Sequence, residues 1–300
     1  MEQKLAKPEW LKIRLVTTDN FSNIKQTIKT HNLHTVCEEA HCPNISECWN
    51  GGTATFMLMG DTCTRGCKFC AVKTGNPMKK LDAEEPKKLA QALAEIKLFD
   101  YVVLTSVNRD DLEDGGASHF AECIKEIKKA YPKVIVEVLI PDFKGDIEAL
   151  KKIVDAKPEV IAHNIETVER LQKRVRDVRA NYKQSLSVLE NVKKLNPKIY
   201  TKSSIMVGLE ENDEEIIQSM KDLRAINVDI LTIGQYLRPT DWHIAVNKYI
   251  PPEKFEYFKQ KALELGFLFC ASGPFVRSSY RAGELFIKNH LNKRYHNLQP

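Results

Sequence analysis

The chain lacks any long hydrophobic run. Across its 300 residues no apolar stretch approaches the roughly 20 residues that cross a bilayer, which excludes a helical membrane protein. The first ten residues, Met1 to Trp10, hold neither the apolar core of a signal peptide nor a long Arg- and Ser-rich presequence. A cytoplasmic protein of bacterial type is expected, with no membrane partner. No dense basic stripe with interleaved aromatics occurs, so no nucleic-acid partner is expected. Charge of one sign is not in large excess either. The 45 basic and 40 acidic side chains leave a net charge of +5, compatible with docking an acidic protein. Cysteine is nearly absent outside one window, where only Cys123 and Cys270 occur. Each reads as a small buried hydrophobe.

The other six cysteines crowd between positions 37 and 70. Clustered thiols in a reducing compartment favour metal over disulfide bonds. Cys63, Cys67 and Cys70 have a Cys-x3-Cys-x2-Cys spacing. Three thiolates on one short loop can hold three irons of a cubic iron–sulfur cluster and leave the fourth open to a substrate or cofactor. This spacing resembles that of radical S-adenosylmethionine enzymes. The resemblance implies reductive cleavage of that cofactor to a 5′-deoxyadenosyl radical, which takes hydrogen from an unactivated carbon. Cys37, Cys42 and Cys48 form a less familiar triplet. Zinc sites use closed sets of four ligands with roughly two to four residues between the paired ones. His34 and His41 lie nearby, so zinc stands as the alternative to a second iron–sulfur cluster. That cluster needs a fourth ligand from elsewhere.

After residue 50 the sequence alternates between apolar strand-like runs and amphipathic helical stretches. Strands are expected at Thr53–Gly60, Tyr101–Val107, Val134–Ile140, Val160–Glu166, Tyr200–Leu209 and Ile230–Leu237, bounded by turn or polar residues. Helices are expected near 84–97, 117–130, 146–155, 181–195, 212–226 and 252–265. Near-continuous apolar strands between helices point to an α/β fold with a helix-covered parallel sheet. Six units make a partial (β/α)6 TIM-type barrel, with a doubly wound open sheet as the structural alternative. Chemistry gathers beyond the carboxyl ends of the strands in both. Residues 1–50 read as an N-terminal extension carrying the first cysteine triplet, 51–265 as the barrel, and 266–300 as a C-terminal extension.

Further motifs sharpen the resemblance. Cys37 to Trp49, followed by the Cys63–Cys70 loop, is joined by Thr105–Asp111, His163–Thr167, Thr201–Gly208 and Gly273–Ala282, which contains Arg277-Ser278-Ser279-Tyr280. From about Lys7 to Glu284 the chain resembles the lipoyl synthase family. The resemblance implies that Cys63, Cys67 and Cys70 hold the [4Fe–4S] cluster that binds and cleaves S-adenosylmethionine. It also implies that Cys37, Cys42 and Cys48 hold an auxiliary [4Fe–4S] cluster, with Ser279 as fourth ligand. Sequence chemistry alone does not choose between Ser278 and Ser279. An alkoxide is a harder donor than a thiolate, so a serine-bound iron is where such a cluster would begin to come apart. The implied reaction inserts two sulfurs at carbons 6 and 8 of an octanoyl chain amide-linked to a lysine of a lipoyl carrier protein. The carrier is a glycine-cleavage H protein or a dehydrogenase E2 lipoyl domain. The auxiliary cluster is the implied sulfur store. An electron donor such as flavodoxin or ferredoxin and a cluster-rebuilding iron–sulfur carrier are implied partners.

Cofactor contacts are expected at strand ends. Asn108 and Arg109 follow the second strand and could orient the cofactor, against a reading as a solvated helix-capping turn. Asn164 and Glu166 end the fourth strand, where a buried carboxylate needs a partner. Arg176 and Arg179 could grip a carboxylate bidentately, against a solvated charged loop. Phe56, Met57 and Met59 read as core. Arg277 beside the ligand serine is either structural or assists release of the serine oxygen.

Overall fold

Strand-forming sequence and amphipathic helix alternate through the computed structural model, which describes residues 5–12, 18–51, 53–96, 101–279 and 287. The N-terminal part contains α1 (Asp19–Thr30), β1 (His34–Thr35), α2 (Val36–Glu39), α3 (Ile45–Asn50), β2 (Thr55–Leu58), β3 (Thr62–Cys63) and β4 (Lys73–Thr74). The middle contains α4 (Glu85–Ile96), β5 (Tyr101–Ser106), α5 (Ala117–Ala130), β6 (Ile135–Leu139), α6 (Ile147–Asp155), β7 (Val160–Ala162), α7 (Gln172–Val175) and α8 (Tyr182–Leu195). The last part contains β8 (Tyr200–Val207), α9 (Asp213–Ala225), β9 (Ile230–Gln235), α10 (Pro252–Glu264) and β10 (Phe269–Gly273).

The main sheet runs β1-β2-β5-β6-β7-β8-β9-β10. Every pairing from β2 to β10 is parallel, and β1 lies antiparallel on β2. Strand order follows chain order with none of the reversal that defines a doubly wound sheet. The fold is therefore the partial TIM-type barrel, and the open-sheet alternative falls. One strand was not anticipated. β10 pairs with β9 from Phe269 to Gly273, so the region expected to lie outside the repeat supplies a seventh parallel strand. The expected Val160–Glu166 strand also ends early. β7 stops at Ala162, and Glu166 rejoins the sheet only through an isolated bridge to Ile205.

Local sequence explains the helices between the strands. Asp146 caps α6 by accepting from the amides of Glu148 and Ala149, and Asn212 with Glu215 forms a capping box on α9. Pro252 opens α10, where its missing N–H leaves nothing unpaired. Alternation along the strands then divides core from site. On β5, Val102 and Leu104 join the cluster under the helices, whereas Tyr101 and Val103 face inward with Val160, Tyr200 and Ile230. Across the barrel floor Lys202 pairs with Glu137 at 2.7 Å, both almost fully buried, and Tyr101 donates to the same carboxylate. Above that plug, Thr105, Leu139, Ser204 and Met206 line an open cavity. Among the described residues no helix is long and apolar enough to cross a membrane.

Candidate active site

The Cys63–Cys70 loop leaves the carboxyl end of β2 and is held by backbone donors and by side chains from the loops around it. β3 pairs with β4 at its base, and the amide of Gly75 donates to the Cys63 carbonyl. The amides of Arg65 and Asn108 donate to Cys63 Sγ at 3.4 and 3.3 Å, and the amide of Asp177 donates to Cys67 Sγ at 3.3 Å. Arg65 extends from the loop to grip Asp110 through Nε and Nη2 at 2.9 Å, and Asp142 through Nη1 and Nη2 at 2.6 and 2.7 Å. Burial opposes the charge on Arg65, but these carboxylates outweigh it and hold its pKa well above the usual range. Arg65 thus ties the cysteine loop to the loops after β5 and β6. This role is not evident from the sequence alone. Its signal was an arginine inside the cysteine motif, with Asp110 and Asp142 just beyond strand ends.

The first triplet is assembled differently. Cys37 sits in α2, whose cap Thr35 accepts from the amide of Glu38. The amide of Cys42 returns to the Cys37 carbonyl at 3.0 Å, and Cys48 lies in α3 with its amide on the Asn44 carbonyl at 2.9 Å. Trp49 packs on Phe21 of α1, ring centroids 5.0 Å apart. Asn44 Nδ2 donates to the Phe275 carbonyl at 2.6 Å, joining this loop to the C-terminal segment. Gly234, in β9, allows that approach: a Cβ there would lie 2.0 Å from the Val276 carbonyl oxygen. Arg277 Nη1 donates to the carbonyls of Val276 and Gln235, and its positive charge is felt at the Cys42 thiol.

All six clustered cysteines, Ser278 and Ser279 line one cavity of about 550 Å³. Such a volume suits a small-molecule site. Burial raises the Cys42 thiol, pushes those of Cys37 and Cys67 up to about 11, and pushes Cys70 to about 12. A metal must displace the thiol protons to bind, and burial raises the cost of doing so. Tyr280 and the residues after it in the serine motif lie outside the described residues. Of the histidines weighed for zinc, His41 lines the cavity and His34 faces Glu39 at 3.6 Å.

The expected cofactor contacts divide. Asn108, Asn164, Glu166 and Arg176 line the cavity. Asn164 Nδ2 donates to Glu166 Oε1 at 3.1 Å. Glu166 adopts a left-handed φ of 66°, a strained setting for a non-glycine residue. Burial raises its pKa against the charge of Arg176. Arg176 Nη1 donates to Gln172 and Ser185, while Arg176 Nε and Asn164 Oδ1 stay buried without a partner. Two orphaned polar atoms in the cavity wall fit a polar ligand. His163 is held neutral beside them: Nδ1 donates to the Ile140 carbonyl and Nε2 accepts from Ser185. Burial first, and then the Arg176 charge, depress its pKa to about 4.

Two arginines do not line this cavity. Arg109, expected as a cofactor contact, lies outside the cavity lining. Its buried guanidinium holds Asp111 bidentately and donates to the carbonyls of Met59 and Lys80, so it locks strand-end loops. Arg179 is exposed and bonds Asp177 and the Thr64 carbonyl, bracing the cysteine loop. Cys123 and Cys270 are buried. Cys123 neighbours Glu85 and His119, but that carboxylate already accepts from the Met59 amide and His119.

Comparison with known proteins agrees with this geometry. Residues 57–223 match the radical SAM superfamily, and residues 1–42 match the N-terminal domain of lipoyl synthase of that family. The lipoyl synthase of Halobacterium salinarum is 59% identical over 286 residues, covering 94% of this chain and 91% of that one. The chain belongs to the lipoyl synthase family. The Anaeromyxobacter lipoyl synthase is 55% identical over 288 residues, covering 96% of this chain and 97% of its own. Homo sapiens mitochondrial lipoyl synthase is 54% identical over 297 residues, covering 97% and 80% respectively. Among solved structures, methylornithine synthase aligns with a TM-score of 0.54 at 15% identity, over 84% of this chain and 70% of that one. The hydrogenase maturase HydG from Carboxydothermus hydrogenoformans aligns with 0.51 at 14%, over 90% and 78%. These two likenesses concern the fold alone. Membership makes the protein a radical S-adenosylmethionine enzyme that inserts sulfur, and implies use of an iron–sulfur cluster and that cofactor.

Proposed function

We propose that the protein inserts two sulfur atoms at carbons 6 and 8 of an octanoyl chain on a carrier lysine, and that the cavity divides the work between two [4Fe–4S] clusters. Cys63, Cys67 and Cys70 hold the first, which when bound supplies the electron that cleaves S-adenosylmethionine to a hydrogen-abstracting radical. Cys37, Cys42 and Cys48, with Ser279, hold the second, which supplies sulfur. The observation that carries this reading is the shared cavity wall of all seven ligands. A radical formed at one triplet needs a substrate carbon within reach of both.

The surrounding residues have separable tasks in this reading. Backbone amides donated to Cys63 and Cys67 stabilise thiolates. Arg176 offers its unpaired Nε to the cofactor carboxylate, and Asn164 with Glu166 receives its donor groups. Asn108 closes the cofactor's side of the wall. Apolar wall residues such as Met57, Leu139 and Met206 suit an alkyl chain and keep water from a radical. The substrate is an octanoylated lipoyl carrier, an H protein or an E2 lipoyl domain. A flavodoxin- or ferredoxin-type donor and an iron–sulfur carrier serve the clusters. Free thiols on all eight cysteines suit a reducing cytosol.

The test is anaerobic incubation of the reconstituted, reduced enzyme with S-adenosylmethionine and an octanoyl-lysine peptide, with products read by mass spectrometry. A peptide carrying two added sulfurs together with 5′-deoxyadenosine is expected. Formation of 5′-deoxyadenosine with no sulfur on any octanoyl substrate would overturn the reading.

A further inference from the structure

A folded carrier domain cannot enter a cavity of about 550 Å³; only its acylated lysine arm can. The rest of the carrier must rest on the rim, and one part of that rim is built unlike an ordinary solvated surface. The Cys63–Cys70 loop is clasped between two others. The amide of Lys68 donates to the Val175 carbonyl at 2.9 Å, the amide of Ile244 donates to the Lys68 carbonyl at 3.0 Å, and His243 Nε2 donates to the Cys70 carbonyl at 2.9 Å. Two large apolar side chains stand out from the clasping loops. Val178 is 89% exposed and Trp242 is 75% exposed. Hydration of this much apolar surface beside a catalytic mouth costs free energy that a partner can recover.

The same rim is cationic. From Lys68 to Lys80 the sequence carries exposed Lys68, Lys73, Lys79 and Lys80 and no acidic residue. From Lys173 to Arg179 it carries exposed Lys173, Arg174 and Arg179 against Asp177 alone. Arg174 and Arg179 are paired with Glu210 and Asp177. Lys68, Lys73 and Lys173 form no close ion pair among the described residues; the Lys73 charge is felt at Asp61, and Lys68 and Lys173 are left to meet outside charge. An exposed tryptophan on the loop that clasps Lys68 has the make-up of an interface anchor. The lysines Lys68, Lys73 and Lys173 outnumber the adjacent exposed Asp241 in the field that steers a partner to it.

We propose that the rim formed by Lys68, Lys73, Lys173, Val178 and Trp242 is the docking surface for an acidic face of the carrier domain, seated so that its octanoyl-lysine arm enters the cavity beside Cys63–Cys70. This inference rests on the sulfur-insertion reading above. It adds where the protein substrate sits and the sign of the charge it must present.

The experiment compares two substrates on one enzyme: an octanoylated glycine-cleavage H protein and a short octanoyl-lysine peptide. The variants are Trp242→Asp, Val178→Asp and Lys173→Glu, singly and together, in the cluster-loaded full chain. For the combined variant, KM for the octanoylated H protein should rise about tenfold or more. Sulfur insertion into the peptide and uncoupled S-adenosylmethionine cleavage should stay within about twofold. The wild-type KM for the H protein should rise with salt, and that dependence should weaken in Lys173→Glu. An unchanged KM for the H protein, or equal losses on protein and peptide, would overturn the docking surface while leaving the reaction intact. A wild-type enzyme that adds sulfur to neither substrate would instead overturn the functional reading beneath it.

Discussion

The two cysteine triplets share a cavity wall but are held by different means. Cys63, Cys67 and Cys70 lie on one short loop, the sulfurs of Cys63 and Cys67 approached by backbone amides of Arg65, Asn108 and Asp177. That loop is strapped to the barrel by the buried Arg65 bridge. Cys37, Cys42 and Cys48 are spread over two short helices and the turn between them. The serine segment reaches them only because Asn44 bonds Phe275 and Gly234 admits Val276. A ligand set on one rigid loop keeps its geometry by itself. A set completed from the far end of the chain depends on the packing that brings the ends together. A centre that persists suits the first arrangement, and one that gives up atoms suits the second.

The largest expected effects separate the two centres outright. Cys67→Ala should abolish S-adenosylmethionine cleavage while iron still loads at the first triplet. Cys42→Ala should spare cleavage and stop sulfur insertion. Iron analysis and 5′-deoxyadenosine assays read both outcomes, and identical phenotypes would erase the distinction. Next comes the strap. Arg65→Met strands Asp110 and Asp142, the latter with a side chain only 1% exposed, and should destabilise the fold by about 3–5 kcal/mol. Thermal unfolding measures this. An unchanged midpoint would mean that the bridge does not hold the loop.

A pH effect of about 3 kcal/mol should follow from His163, whose pKa falls from 6.5 to about 4 in the fold. Between those values the unfolded chain binds a proton that the native chain refuses. Stability is therefore full above pH 6.5 and declines as pH drops toward 4. Urea midpoints of the metal-free protein across that window should fall more steeply for wild type than for His163→Gln. Equal slopes would show that His163 does not set the acid limit of the radical-site side. The subtlest test is Gly234→Ala. Its added methyl must displace Val276 and, with it, Ser279. Sulfur insertion should drop on the order of 100-fold, as for other displacements near 1 Å, with S-adenosylmethionine cleavage retained. Equal rates of insertion would remove the C-terminal segment from the second centre.

Legibility in the sequence followed locality. The helices over 117–130 and 146–155 appear as α5 (Ala117–Ala130) and α6 (Ile147–Asp155), because apolar spacing and caps are properties of adjacent residues. The fourth strand is shorter than its apolar run suggests because Asn164 and Glu166 leave the ladder to reach the cavity, Glu166 through a left-handed backbone. The seventh strand was overlooked because Phe269–Gly273 is short and identifiable only by its partner β9. Arg109 and Arg65 exchanged their expected importance for a similar reason. Both are arginines near polar strand ends, and nothing in their neighbours tells which one finds its carboxylate at Asp111 and which spans to Asp142. The salt-bridge partner of a long side chain is a tertiary fact.

By itself, the sequence determined the repeating strand–helix order, the spacing of the Cys63–Cys70 thiols and the family to which the chain belongs, since each is written in residues close together or in a motif set. Only the tertiary structure decided that the sheet follows chain order as a partial barrel and takes a seventh strand from the C-terminal region. It also decided that Arg176 lines the cavity while Arg109 is spent in the scaffold, and that Ser279 shares a cavity wall with cysteines more than 200 positions away. The physical reason is the range of the forces. Backbone propensity, capping and ligand spacing act within a few residues. Burial, ion pairing and close backbone approach act only after distant segments have met.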